Sequence, residues 1–93
     1  MLVVRNTFVA KPGQASKLAA QVKEAGAVAQ LPFRVLTDLT GEFNRVILEF
    51  QVESAAAFEA NMKEYATNPA FREKMKGYTE LWSTGSREIL QIV

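Results

Sequence analysis

Four of the chain's five arginines, Arg5, Arg34, Arg45 and Arg87, stand at alternate positions of strand-like runs, which would put them on one face of a β-sheet. Arginine tolerates partial burial because its planar fork grips carboxylates and other flat anions with two hydrogen bonds. Asp38 and Glu49 fall on the same face, and Thr7 lies two residues from Arg5. Two chemistries follow for the acids. Asp38 and Glu49 pair with Arg45 and Arg34 as an ion-pair ladder, or one of them acts as a general base with a pKa raised by burial. A neighbouring guanidinium lowers such a pKa, which favours the ladder. Arg5 and Arg87 have no acid in this arrangement. They read as a clamp for a carboxylate, phosphate or enolate, with Thr7 as a further donor, or as partners for acids of a second copy. The bland reading is the commoner one for interface cations. Tyr65, Tyr78 and Trp82, at helical spacing, are either core packing or stacking surfaces for a flat ligand. The candidate ligand-binding set is thus Arg5, Thr7, Arg45, Glu49, Arg87, Tyr65, Tyr78 and Trp82, with no catalytic residue assigned.

The missing residue types narrow the chemistry further. The chain has no Cys and no His, which excludes thiolate nucleophiles, imidazole acid–base work, Ser-His triads and the usual zinc and haem ligands. Its acids are scattered, so no metal site is expected. Its glycines are isolated, so no phosphate-cradling loop is present, and no cofactor is expected. The net charge is +1 with no basic stripe, which disfavours nucleic acid. No apolar run approaches the ~20 residues that span a bilayer. The start, Met1–Gly13, lacks the pattern of a signal peptide. A cytoplasmic location is the default expectation.

Strands are expected at Leu2–Val9, Phe33–Thr40, Phe43–Val52 and Arg87–Val93. One face reads Leu2, Val4, Asn6, Phe8; Phe33, Val35, Thr37, Leu39; Val46, Leu48, Phe50, Val52; Leu90, Ile92, which is a core with one lone amide. The other face carries the arginines among Val3, Leu36, Ile47 and Ile89. A helix starts near Gln14 with an Ala-rich stripe through Leu18, Val22 and Ala25, and Gly26 and Pro32 bracket its exit. Gly41-Glu42 suits a two-residue type II′ hairpin. That register sets Phe33 opposite Phe50, Arg34 opposite Glu49, Leu36 opposite Ile47 and Asp38 opposite Arg45. Ser54 caps a second helix, which breaks near Ala66–Asn68, where Asn68-Pro69 caps a third segment. Gly85 precedes the last strand, and one alternative makes Trp82–Gly85 a loop that swaps this strand between subunits.

The order β-α-β-β-α-β predicts a single ferredoxin-like α+β domain over residues 1–93, a four-stranded antiparallel sheet with the helices on one face. A chain of 93 residues buries only about 60–65% of its unfolded surface, and the Arg-bearing face would be left open, so a second copy packed sheet to sheet is the natural cover.

Several stretches resemble the dimeric α+β barrel superfamily, in particular its NIPSNAP-like branch. They are Val3-Val4-Arg5 with Lys11-Pro12-Gly13, then Gly41-Glu42-Phe43-Asn44-Arg45-Val46, Glu53-Ser54 ahead of Phe58-Glu59, and Asn68-Pro69-Ala70-Phe71. The resemblance implies a homodimer whose two sheets enclose a lumen. Related branches include quinone-biosynthesis monooxygenases, haem-degrading enzymes and proteins without assigned activity.

The first functional reading is a homodimer that binds a small anionic or aromatic molecule in that lumen, as a cofactor-free oxygenase or isomerase if it is catalytic. The alternative is a non-catalytic dimerisation or ligand-sensing domain whose arginines are consumed by inter-subunit ion pairs. RNA binding through the same plan is disfavoured, because the strands lack exposed aromatics for base stacking.

Overall fold

The computed structural model of the chain describes residues 1–29 and 32–93. The elements are β1 (Leu2–Ala10), α1 (Ala15–Val28), β2 (Phe33–Thr37), β3 (Arg45–Val52), α2 (Ala55–Thr67), α3 (Pro69–Lys74), a 3-10 turn (Tyr78–Glu80) and β4 (Trp82–Gln91). The sheet is antiparallel throughout, in the order β2-β3-β1-β4. This is the ferredoxin-like arrangement that the element order implies. The molecule is a slab of 36 × 34 × 19 Å, one layer of helices on one layer of sheet. Among the described residues no helix is long and apolar enough to cross a membrane.

The β2–β3 register is the expected one, with Phe33 opposite Phe50, Arg34 opposite Glu49 and Leu36 opposite Ile47. The turn is not. The strands stop at Thr37 and Arg45, and residues 38–44 form a seven-residue loop instead of a two-residue hairpin. The cause is Arg45. Its Nε donates to Asp38 Oδ1 at 2.8 Å and its backbone N–H to Asp38 Oδ2 at 3.3 Å. The loop backbone then wraps over the guanidinium: a Cβ on Gly41 would lie 2.7 Å from Arg45 Nη2, and Gly41 itself has a φ of 115°. Asn44 turns back into the strand with a φ of 67°, a conformation that Asn accepts more readily than most residues.

The caps follow the sequence. Ser54 Oγ accepts from Ala57 N at 3.1 Å. Asn68 ends α2 and starts α3, its Oδ1 accepting from Ala70 and Phe71 N–H, with Pro69 in the first turn. The end of α3 is tied to α1, since Gln21 Nε2 donates to the carbonyls of Lys74 and Lys76 at 2.9 Å each.

Three expectations are corrected. Trp82–Gly85 is not a loop but the start of β4, which runs from Trp82 to Gln91. The phase of β4 is also opposite to the one expected. Asn6 faces Arg87 and Val4 faces Ile89, while Arg5 faces Glu88 and Val3 faces Leu90. Arg87 therefore lies on the helix-covered side. The bulge at Val9/Ala10 and the placement of Gly85 set this phase. A Cβ on Gly85 would already touch Phe8 and Trp82 at 3.4 Å, so a larger side chain has no room beneath those rings. Finally, Gly26 does not end α1 but sits inside it, because a Cβ there would lie 2.6 Å from Phe33 Cζ.

The helix side holds two core clusters. Leu18 and Val22 of α1 meet Ala10, Val46 and Leu81, while Val4, Phe50 and Val52 meet the α2 side through Ala57, Phe58 and Met62. No residue of α2 or α3 is fully buried.

The contact between Gly26 and Phe33 is testable as a coupling. Gly26→Ala should give no gain in urea stability in the wild-type chain, but a gain of about 1 kcal/mol in a Phe33→Ala background, the ordinary helix preference for Ala over Gly. Additive effects would show that the ring does not hold the glycine.

Candidate functional site

The arginines divide between the two faces of the sheet. On the open face, Glu49 of β3 bridges β1 and β2. Its Oε2 accepts from Arg5 Nε at 3.0 Å and its Oε1 from Arg34 Nη2 at 2.6 Å. Arg5 also lies 4.0 Å from Glu88. The Glu49 side chain is only 11% exposed, and the hydrogen bonds from Arg34 and then Arg5 hold its pKa below the ordinary value, outweighing desolvation. With Arg45 on Asp38, each arginine of this face is matched by an acid of its own chain. Arg5 is thus not free for an anion, contrary to expectation, and these ion pairs need no second subunit. Glu49, held ionised, is a poor base. Thr7 stands between Ile47 and Ser86 on this face, apart from Arg87.

Arg87 has no acid partner among the described residues. Its Nε donates to Asn6 Oδ1 at 2.6 Å, and its guanidinium carbon lies 5.3 Å from the Phe58 ring centroid, a cation–π contact with α2. Asn6, the lone amide of the core face, is 9% exposed. Beside this pair is a cavity of about 180 Å³ between the sheet and the helices. It lies between the two core clusters. Its wall combines Phe8, Phe33, Leu48 and Phe50 of the sheet with Val22, Ala25 and Gly26 of α1 and Met62, Tyr65, Phe71, Met75 and Tyr78 of the region from α2 to the 3-10 turn.

Tyr65 and Tyr78 thus join Arg87 at one site, and Trp82 stands behind it. Trp82 packs on Phe8 and Tyr78, with ring centroids 5.4 and 6.3 Å away, and its buried Nε1 has no partner. Tyr65 stacks on Phe71 across the α2–α3 break, with centroids 5.0 Å apart. Burial, and secondarily Glu64, pushes the Tyr65 pKa up, so its hydroxyl stays a proton donor. An outer depression lined by Tyr65, Ala66, Phe71 and Arg72 adjoins the cavity at this stack. Among the described residues the wall holds no carboxylate, amine, thiol or imidazole. It can bind, orient and stabilise negative charge, but it carries no group suited to removing a proton at neutral pH. Among the described residues no cluster of three or more Asp or Glu could hold a metal ion.

Asn6, Phe33, Phe71 and the two Met residues were not in the candidate set. Asn6 was the available signal, as the one polar residue on the core face. Its significance depended on the phase of β4.

The architecture has clear counterparts. An uncharacterised NIPSNAP domain protein from Burkholderia xenovorans superposes with a TM-score of 0.86 at 15% identity, covering 100% of this chain and 95% of that one. A NIPSNAP family protein from Agrobacterium tumefaciens matches with a TM-score of 0.85 at 15% identity, over 99% of this chain and 92% of its own. The fold is that of the NIPSNAP proteins. A Chloroflexus aurantiacus protein provisionally described as an antibiotic biosynthesis monooxygenase shares the NIPSNAP-like fold more distantly, with a TM-score of 0.76 at 16% identity over 99% and 92% of the two chains. No family model matches the chain, and no curated protein is similar to it.

The bridge at Glu49 predicts a pH dependence. A carboxylate whose folded pKa is lowered contributes stability above its ordinary value of 4.5, and that contribution is lost as pH falls through the lower folded value. Urea unfolding of the wild type should therefore steepen its decline below pH 4.5, and Glu49→Gln should remove that part of the decline. At neutral pH the substitution should cost only about 1 kcal/mol, since Arg34 is 66% exposed and solvent screens the pair. An unchanged acid limb in Glu49→Gln would show that the bridge contributes nothing.

Proposed function

We propose that this chain is a small-molecule binding protein that holds a largely apolar, partly aromatic molecule with one anionic group in the cavity between sheet and helices. The observation that carries the reading is Arg87, a guanidinium with no acid partner among the described residues, on an otherwise apolar and aromatic wall. Small-molecule sites combine such walls with a few fixed polar groups. Here those groups are Arg87, Asn6 and the tyrosine hydroxyls. The reading moves the ligand from the sheet–sheet lumen to the helix side, because the lumen-facing arginines are already matched by acids. The chemistry the wall supports is stabilisation of a substrate anion by Arg87, a step shared by cofactor-free oxygenation and isomerisation. The absence of a base in the wall favours binding or sensing over proton abstraction.

The second part of the proposal is a homodimer through the open face, in an intracellular setting. Val3, Leu36, Ile47 and Leu90 lie on that face, with Leu36 and Leu90 exposed at 37% and 39%, among ion pairs that sum to no net charge. A patch of that kind is self-complementary and suits an isologous contact. This observation also favours the alternative of a purely dimerising domain.

Two experiments separate these readings. Native mass spectrometry of the protein from its own cells should reveal a small bound mass that is lost in Arg87→Met and retained in Arg5→Met. Loss in Arg5→Met alone would return the ligand to the lumen. Sedimentation should give a dimer for the wild type and a folded monomer for Leu36→Arg, whereas a monomeric wild type would overturn the dimer.

A further inference from the structure

The geometry points to one class of occupant for the cavity: a single aromatic ring bearing one carboxylate. This rests on the binding reading above and adds the size and charge of the ligand.

Ring character comes from the wall. Phe8, Phe33, Phe50, Tyr65, Phe71 and Tyr78 all face the space, and Met62 and Met75 add polarizable sulfur suited to a ring edge. Aromatic pairs favour offset or edge-on contacts, and rings from three sides make both available.

Charge and shape come from Arg87. Asn6 Oδ1 occupies its Nε, which leaves the two terminal nitrogens as a fork. That fork matches the two oxygens of a carboxylate. A phosphate would need more donors than this wall supplies, since among the described residues no lysine, helix N-terminus or glycine-rich loop lines it. The Tyr65 hydroxyl offers a neutral donor nearby.

Size comes from the volume. About 180 Å³ compares with the roughly 150 Å³ apolar cavity that holds benzene, so one ring and a small substituent fill it. Phe33 sets the limit. Its ring is seated against Gly26 at a spacing that admits no side chain there. That ring and Phe50 line both this cavity and an open depression bounded by Pro32, Arg34, Gln51 and Asn61, and so stand between the two. A second fused ring meets those two side chains, and Phe33, the one braced against Gly26, is assigned as the specificity-determining residue for ligand length.

The test is calorimetric titration of the full chain with benzoate, benzyl alcohol and 2-naphthoate. Benzoate should bind at least about 10-fold tighter than benzyl alcohol, the scale of one charge-assisted hydrogen bond, and at least about 10-fold tighter than 2-naphthoate, the scale of a steric mismatch in a packed site. Arg87→Met should bring benzoate and benzyl alcohol level. Phe33→Ala should reverse the order of benzoate and 2-naphthoate. If 2-naphthoate equals or exceeds benzoate in the wild type, the single-ring limit is wrong while the binding reading stands. If benzyl alcohol equals benzoate, the carboxylate assignment is wrong. If none of the three binds, the binding reading beneath the proposal fails with it. The wild-type ranking decides the size question by itself should Phe33→Ala not fold.

Discussion

A polar pair on the helix-covered side of the sheet governs the architecture. Arg87, exposed on the edge strand β4, faces the nearly buried Asn6 of β1 on a side of the sheet that is mostly apolar. The buried Asn6 oxygen is satisfied by Arg87, which itself keeps access to solvent. The core divides around the pair, with α1 packing on one side and α2 on the other. What lies between is the cavity. The same pair that interrupts the packing supplies, among the described residues, the charge that lines this space.

The opposite face solves its charge problem differently. There each guanidinium is met by a carboxylate of its own chain, and Glu49 ties three adjacent strands through two arginines. These pairs are formed before any partner arrives. A second copy covering this face would therefore meet a surface already neutralised, and apolar contact rather than new ion pairs would drive the association. On the proposed reading the two faces divide the work, one taking a ligand and the other a copy of the chain.

Much of this was legible in the sequence, and the reasons for the exceptions are physical. The β2–β3 register was readable because Phe33/Phe50 and Arg34/Glu49 agree only at one offset, and a slip by one residue inverts both faces. Ser54 and Asn68 announced the helix starts through their own hydrogen-bonding chemistry. The phase of β4 was not readable, because its residues are apolar on both faces: Ile89 on one, Leu90 and Ile92 on the other. Only tertiary contact, Gly85 beneath Phe8 and Trp82, decides it. That single inversion scattered the candidate site, separating Arg87 from Arg5 and bringing it to Tyr65 and Tyr78. The long 38–44 loop was hidden for a similar reason, since the wrap of Gly41 around Arg45 has no local sequence signature beyond the glycine. Gly26 read as a helix end because the ring that requires it comes from the next strand.

One feature of the helices reaches beyond the site. α2 and α3 flank the cavity and neither buries any residue completely, so they, like the edge strand β4, fall among the segments that open at low free-energy cost. An occupant supplies contacts that these helices lack. By mass action the closed population then rises with the concentration of the occupant. Proteases that cut opened segments sense that population directly. On the proposed binding reading, the lifetime of the chain in a cell would follow the supply of that occupant, and its abundance would report the ligand without any separate signalling part.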